Sequence, residues 1–203
     1  MPLKVVVIGG GASGLAAAIT AAKGGAEVII LEHKDRVGKK ILMTGNGKCN
    51  LTNVSDYRGK YYGEDVERIY SFLDRFSPQD TIAFFKEMGL YTKEKRDGGI
   101  YPVSEQATAV LDVLRSTCIH LGVKVFTECE PVSIKQGMVY YLEQKTQKKQ
   151  IYFDKLILAA GGTAAPVSGS DGSGYNLAKT LGHQLIRPLP ALVQLRCEGN
   201  YFK

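Results

Sequence analysis

Apolar and polar positions along the chain divide it into short strand-like runs and longer helical stretches, and the first boundary between the two is the most informative. Val5-Val6-Val7-Ile8 is a continuous apolar run of strand length. It enters Gly9-Gly10-Gly11-Ala12-Ser13-Gly14 directly, and Leu15-Ala16-Ala17-Ala18-Ile19 then has the composition of a helix, with Gly25 suited to its C-terminal stop. A second apolar run, Val28-Ile29-Ile30-Leu31, ends on Glu32. Continuous rather than alternating apolar runs predict strands covered on both faces, hence a parallel sheet.

Farther along, Glu64–Phe76 has the spacing of an amphipathic helix, with Val66, Ile69, Tyr70 and Leu73 on one face. Ser77-Pro78-Gln79-Asp80 is a helix-start signature, and the helix it opens stops at Gly89. Asp97-Gly98-Gly99 predicts a turn into Ile100–Val103, and Ala107–Leu121 a helix closed by Gly122. Val123–Phe126 is the next strand. Three short strand candidates follow, Val132–Lys135, Met138–Glu143 and Gln150–Phe153, and their spacing predicts an antiparallel meander. Leu156-Ile157-Leu158 is a fully apolar strand, expected to be buried on both faces, that ends in Ala159-Ala160-Gly161-Gly162. A second glycine-rich stretch, Ser168–Gly174, opens a last helix from Tyr175 to Leu181, stopped by Gly182.

The strand–glycine–helix–strand–acid order of Val5–Glu32 has a mechanical reading. Gly9 permits the tight turn out of the strand, Gly11 lets backbone approach a pyrophosphate, and Gly14 lets the helix pack close to the sheet. The helix N-terminus adds unpaired N–H groups and the positive end of a dipole. Glu32, 18 residues after Gly14, stands where a carboxylate accepts the hydroxyls of an adenosine ribose, and it disfavours the 2′-phosphate of NADP at that site. The unit therefore predicts an adenine dinucleotide. The meander followed by a Gly-Gly strand favours FAD over NAD. Thr44-Gly45-Asn46-Gly47-Lys48-Cys49-Asn50 is a poor helix and a poor strand; it suits a loop wrapping a polar cofactor, with a solvated linker as the alternative.

Composition narrows the picture little. The 203 residues are 44% hydrophobic and 23% charged, as in an ordinary soluble globular protein, and no apolar stretch reaches membrane-spanning length. The start of the chain, Lys4 leading directly into a strand, is not laid out as a signal peptide. Cys49, Cys118, Cys129 and Cys197 have no metal-ligand spacing and suit a reducing cytoplasm. Cys49, with no second cysteine near it, is expected to pack against flavin or backbone rather than act in disulfide exchange. Net charge is +6, from small basic groups that are not interleaved with aromatics along the sequence, so no nucleic-acid partner is expected. The group at Lys34, Arg36, Lys39 and Lys40 follows the ribose acid and could attract a pyrophosphate. His33, His120 and His183 are isolated, with surface or capping roles expected, and Asp171 is an N-cap candidate.

On these residues the chain resembles the two-dinucleotide-binding-domain flavoproteins, and among them the NAD(FAD)-utilizing dehydrogenases that include aminoacetone oxidase and flavin-dependent bile-acid reductases. The likeness rests on Val7–Gly14, Gly38-Lys39-Lys40, Thr44–Asn53, Tyr101-Pro102-Val103-Ser104, Ala160-Gly161-Gly162, Gly172–Tyr175 and Gly182-His183. Gly-Asn-Gly-Lys-Cys-Asn is the most specific of these. Gly99 departs from the pattern, since many relatives carry arginine there.

The resemblance implies an α/β fold, a Rossmann-like FAD-binding domain with flanking helices and an antiparallel β-meander crossover. It implies FAD contacts from Gly9, Gly11, Ala12, Ser13, Gly14, Glu32, His33, Lys40, Thr44, Gly45, Asn46, Gly47, Cys49, Asn50, Val132, Ala160, Gly161 and Gly162. Residues 1–190 would be the FAD-binding domain and 191–203 the start of an inserted β-rich substrate domain absent from this chain, which is expected to bind FAD weakly. The implied activity is hydride transfer between flavin and a small amine, ketone or enone, with NAD(P)H or oxygen resetting the flavin. No catalytic side chain is assigned. The alternatives are a non-catalytic dinucleotide-binding fragment and a flavoenzyme acting on RNA.

Overall fold

The computed structural model describes residues 1–190, so the expected start of a further domain at 191–203 lies outside the described residues. Its centre is a four-stranded parallel sheet made of β1 (Lys4–Ile8), β2 (Glu27–Leu31), β6 (Lys124–Phe126) and β10 (Lys155–Leu158). In space the order is β10-β1-β2-β6. The chain steps outward from β1 through β2 to β6 and then returns to the other side of β1. The order reverses beside β1, and in open α/β sheets the crevice at such a reversal is where ligands bind.

Alternation along β1 divides the core. Val5 and Val7 face α1 (Ala12–Lys23) and α4 (Ala107–His120), packing with Leu15, Ile19, Val110 and Leu114. Val6 and Ile8 face the antiparallel sheet of β7 (Cys129–Lys135), β8 (Met138–Glu143) and β9 (Gln147–Tyr152), against Ile134, Val139 and Tyr141. The result is helix, parallel sheet and meander in three layers. Leu15, Ile19 and Leu114 are essentially inaccessible to solvent. Each such side chain contributes about 2 kcal/mol through burial.

Three sequence expectations change. The strand at Leu156–Leu158 is half-buried, because β10 is an edge that pairs only with β1 among the described residues. The first meander strand begins at Cys129 rather than Val132. Val132 itself is the residue skipped where the register shifts between Pro131 and Ser133, a β-bulge. The last meander strand runs Gln147–Tyr152, earlier than expected, because polar residues pair there as well.

The remaining elements form an outer layer beside the loop at 44–50. They are β3 (Thr52–Asn53), α2 (Val66–Arg75), α3 (Pro78–Glu87), β4 (Thr92–Glu94) and β5 (Gly99–Pro102), with the three strands in the antiparallel order β3-β5-β4. Ser77 and Asp80 form a reciprocal capping box on α3, as the sequence predicts. After α5 (Ser173–Thr180) no further regular element is described. No helix among the described residues is long and apolar enough to cross a membrane.

Candidate dinucleotide site

The β1–α1 turn shows why three glycines stand where they do. Gly9 has φ +103°, and a Cβ there would lie 2.4 Å from the Ala159 carbonyl oxygen at the end of β10. At Gly14 a Cβ would lie 1.8 Å from the Gly9 carbonyl oxygen, which helix-to-turn packing forbids. Gly11 differs: its φ is −77°, open to any residue, and a Cβ there would meet nothing within 4 Å. The fold does not require glycine at that position. A ligand approaching the helix N-terminus would.

Gly11 faces a cavity of about 610 Å³ at the carboxyl end of β1. One wall is Gly9, Gly11, Ala12 and Ser13; another is Glu32 and His33 at the end of β2. Lys40, Thr44, Cys49 and Asn50 enter from the following segment, and Ala160 with Gly161 from the end of β10. Main-chain segments far apart in sequence thus meet at one edge of the parallel sheet.

Glu32 is 7% exposed and held at both oxygens. Oε2 accepts the Gly10 N–H at 2.7 Å, and Oε1 accepts the Lys34 N–H at 2.8 Å. The carboxylate is fixed in orientation while retaining lone pairs toward the cavity. His33 stands between two acids, with Nδ1 3.3 Å from Glu32 Oε1 and Nε2 3.5 Å from Asp171 Oδ2. Its Nε2 is buried and makes no hydrogen bond among the described residues. Lys40 Nζ donates to Ser170 Oγ at 3.2 Å, so the second glycine-rich loop is tied across the cavity.

Burial pushes the Cys49 thiol up, opposed by a weaker contact with Thr44. At neutral pH it is a thiol, not a nucleophilic thiolate. Cys118 is raised by burial to about 11. Among the described residues no three His, Cys, Asp or Glu side chains group as a metal site.

Several sequence candidates lie outside this wall. Gly14 packs α1 on the turn, and Gly162 adjoins the Tyr175 hydroxyl. Gly45, Asn46 and Gly47 have positive φ and turn the loop so that its flanks, Thr44 and Cys49-Asn50, reach the cavity. Asn46 is exposed. Val132 is half-exposed, next to Pro131 and Glu130, which line a small adjoining hollow together with His33 and Asp171. Arg36 and Lys39, of the basic group expected to attract a pyrophosphate, do line the cavity, and Ala159, Ser168–Ser170 and Phe84 and Phe85 of α3 line it as well. The second glycine-rich stretch was a usable signal for Ser168–Ser170. Phe84 and Phe85 have none, because their spacing is that of any amphipathic helix.

A parallel sheet with its crevice beside β1, a glycine turn entering a helix and an oriented acid after β2 together define a Rossmann-like dinucleotide-binding domain. The chain belongs to the HI0933-like protein Rossmann domain family, whose model matches residues 3–192. It is 44% identical over 201 residues to the 3-dehydro-bile acid delta(4,6)-reductase of Clostridium scindens, covering 98% of this chain and 49% of that protein. It is 30% identical over 193 residues to the ribosomal RNA dihydrouridine synthase of Haemophilus influenzae, covering 93% of this chain and 47% of that protein. The chain thus spans about half the length of the curated relatives it matches. Among solved structures its fold is similar to a flavocytochrome c3 fumarate reductase, with a TM-score of 0.62 at 16% identity, over 89% of this chain and 40% of that one.

Proposed function

We propose that this chain is the FAD-binding part of a flavin-dependent oxidoreductase. The observation that carries the reading is Gly11. The fold leaves it free to be another residue, yet it faces the cavity where a pyrophosphate would meet the N-terminus of α1. The residues present suit the group. N–H groups at the start of α1 would hold the diphosphate, with the helix dipole favouring its charge. Glu32, already fixed by two backbone donors, would accept ribose hydroxyls. Val132, freed from its ladder by the bulge, would offer its backbone to the adenine. His33, Lys40, Thr44, Cys49, Asn50, Ala160 and Gly161 would line the remainder, with Gly162, Gly45, Asn46 and Gly47 shaping the loops behind them. FAD, once bound, supplies hydride chemistry; the chain supplies position and electrostatics.

The substrate reading that the 44% likeness to a 3-dehydro-bile acid delta(4,6)-reductase supports is a small organic molecule of the enone or ketone class; an amine substrate and NAD(P)H as electron donor rest on the family resemblance alone. A second reading, RNA as substrate, is favoured by the likeness to ribosomal RNA dihydrouridine synthases, including one from Escherichia coli at 28% identity. The buried free thiols fit a reducing compartment such as the cytoplasm. Titrating the purified chain with FAD and following flavin fluorescence tests the core of the proposal. Weak but saturable binding of one flavin per chain is expected, and a folded chain that leaves the signal unchanged would overturn it. Anaerobic NAD(P)H oxidation by the FAD-loaded protein, with an enone or a uridine-containing RNA added, separates the two substrate readings.

A further inference from the structure

The basic residues near position 95 alternate with polar and acidic ones in sequence, but strand geometry gathers them with aromatics on one face. Along β4 and its flanks Tyr91, Lys93 and Lys95 occupy alternate positions, so their side chains share a side of the β3-β5-β4 sheet. The ladder extends past both ends of β4, with the Val103 N–H donating to the Tyr91 carbonyl and the Lys95 N–H to the Gly99 carbonyl. Lys93 is directly opposite Tyr101, which puts the Tyr101 ring on the same side. Ile100 and Pro102 point the other way and are buried.

This face is charged. Glu105 accepts Lys93 at 2.7 Å, Lys48 at 3.2 Å and Lys95 at 3.4 Å, so one carboxylate gathers three ammonium groups from two separate segments. Two positive charges are left uncompensated within the cluster. Lys95 Nζ also sits 4.1 Å from the centre of the Tyr101 ring, which fixes that lysine against the sheet. Tyr91 is 69% exposed and free to stack. The cluster adjoins the candidate site: a Cβ on Gly45 would lie 3.4 Å from the Tyr101 ring, and Lys48 precedes the cavity-lining Cys49.

We propose that this Lys48–Lys93–Lys95–Tyr91 face docks a single-stranded segment of RNA, the lysines meeting successive phosphates and Tyr91 stacking a base beside the cofactor loop. Paired cations with an open aromatic are the composition of single-strand binding surfaces. The inference deepens the RNA reading of the substrate and leaves FAD binding untouched, so the two fail separately.

The test is fluorescence anisotropy of a labelled oligouridylate of about a dozen nucleotides, titrated with the chain at increasing salt. Wild type should bind saturably at low salt and weaken as salt rises. Lys93→Gln/Lys95→Gln should bind about tenfold less tightly, with a log–log salt slope shallower by roughly 1.4, or ~0.7 for each single-strand phosphate no longer neutralised. Tyr91→Ala should weaken binding about fivefold with the slope unchanged. Both variants should bind FAD like wild type, which certifies their fold. The proposal is overturned by absent binding at low salt, by an unchanged slope in the double variant, or by inorganic phosphate competing as well as unlabelled oligouridylate.

Discussion

Replacing Gly11 with alanine separates what the fold needs from what a ligand needs. In the protein the added methyl meets no atom within 4 Å and the backbone at φ −77° accommodates it. Losing a glycine stiffens the unfolded chain, a gain of about 0.4–1 kcal/mol, while alanine is a poorer N-cap by a similar amount. Net stability should therefore stay within about 1 kcal/mol of wild type. In an FAD complex the same methyl would stand between the diphosphate and the N–H groups that open α1. Displacing it forfeits one or two charge-assisted hydrogen bonds, about 3 kcal/mol, or on the order of a hundredfold in FAD affinity. Gly14→Ala is the control, because its methyl would lie 1.8 Å from the Gly9 carbonyl oxygen and must displace α1 from the turn. It should unfold more easily in urea whether FAD is present or not. The assay pairs urea denaturation with flavin titration for each variant. Equal FAD affinity for Gly11→Ala and wild type, in folded protein, would refute the reasoning.

Glu32→Gln should cost about 1–3 kcal/mol, because the amide has one accepting oxygen where two backbone N–H groups now find one each; urea denaturation without cofactor measures this. Glu105 is held down to about 2 by its lysines, against an ordinary 4.5. Its folded value lies below its unfolded one, so its contribution is complete above pH 4.5 and is lost as pH falls toward 2. Thermal midpoints measured across that window should fall less steeply in Glu105→Gln than in wild type. Cys118, raised by burial to about 11, should resist iodoacetamide in the native chain at pH 8 and react fully in urea, as peptide mass spectrometry would resolve.

What was legible in the sequence followed from local rules. Val5–Glu32 announced strand, turn, helix and strand, because glycine placement and apolar runs are local in origin, and β1, α1 and β2 formed as read. The meander and the cap on α3 were legible for the same reason. Misjudgements arose where pairing decides. The apolar character of Leu156–Leu158 indicated burial on both faces, but burial depends on a neighbour strand, and β10 has one on one side only among the described residues. The bulge at Val132 depends on the register with β8, which no single strand encodes. Lys93 and Lys95 appeared free of aromatics because the interleaving runs across β4 and β5. At the site, the glycines and Glu32 were readable. The cavity wall from Lys40 and Ser170, 130 positions apart, exists only once β10 lies beside β1.

A dinucleotide cavity of this kind would recognise the adenosine diphosphate portion of its ligand. Competition on the purified chain tests it most directly, with bound FAD displaced by ADP in one series and by FMN in another. ADP is expected to displace FAD, and FMN, which lacks the adenosine diphosphate, is not. Displacement by FMN with no effect of ADP would contradict it.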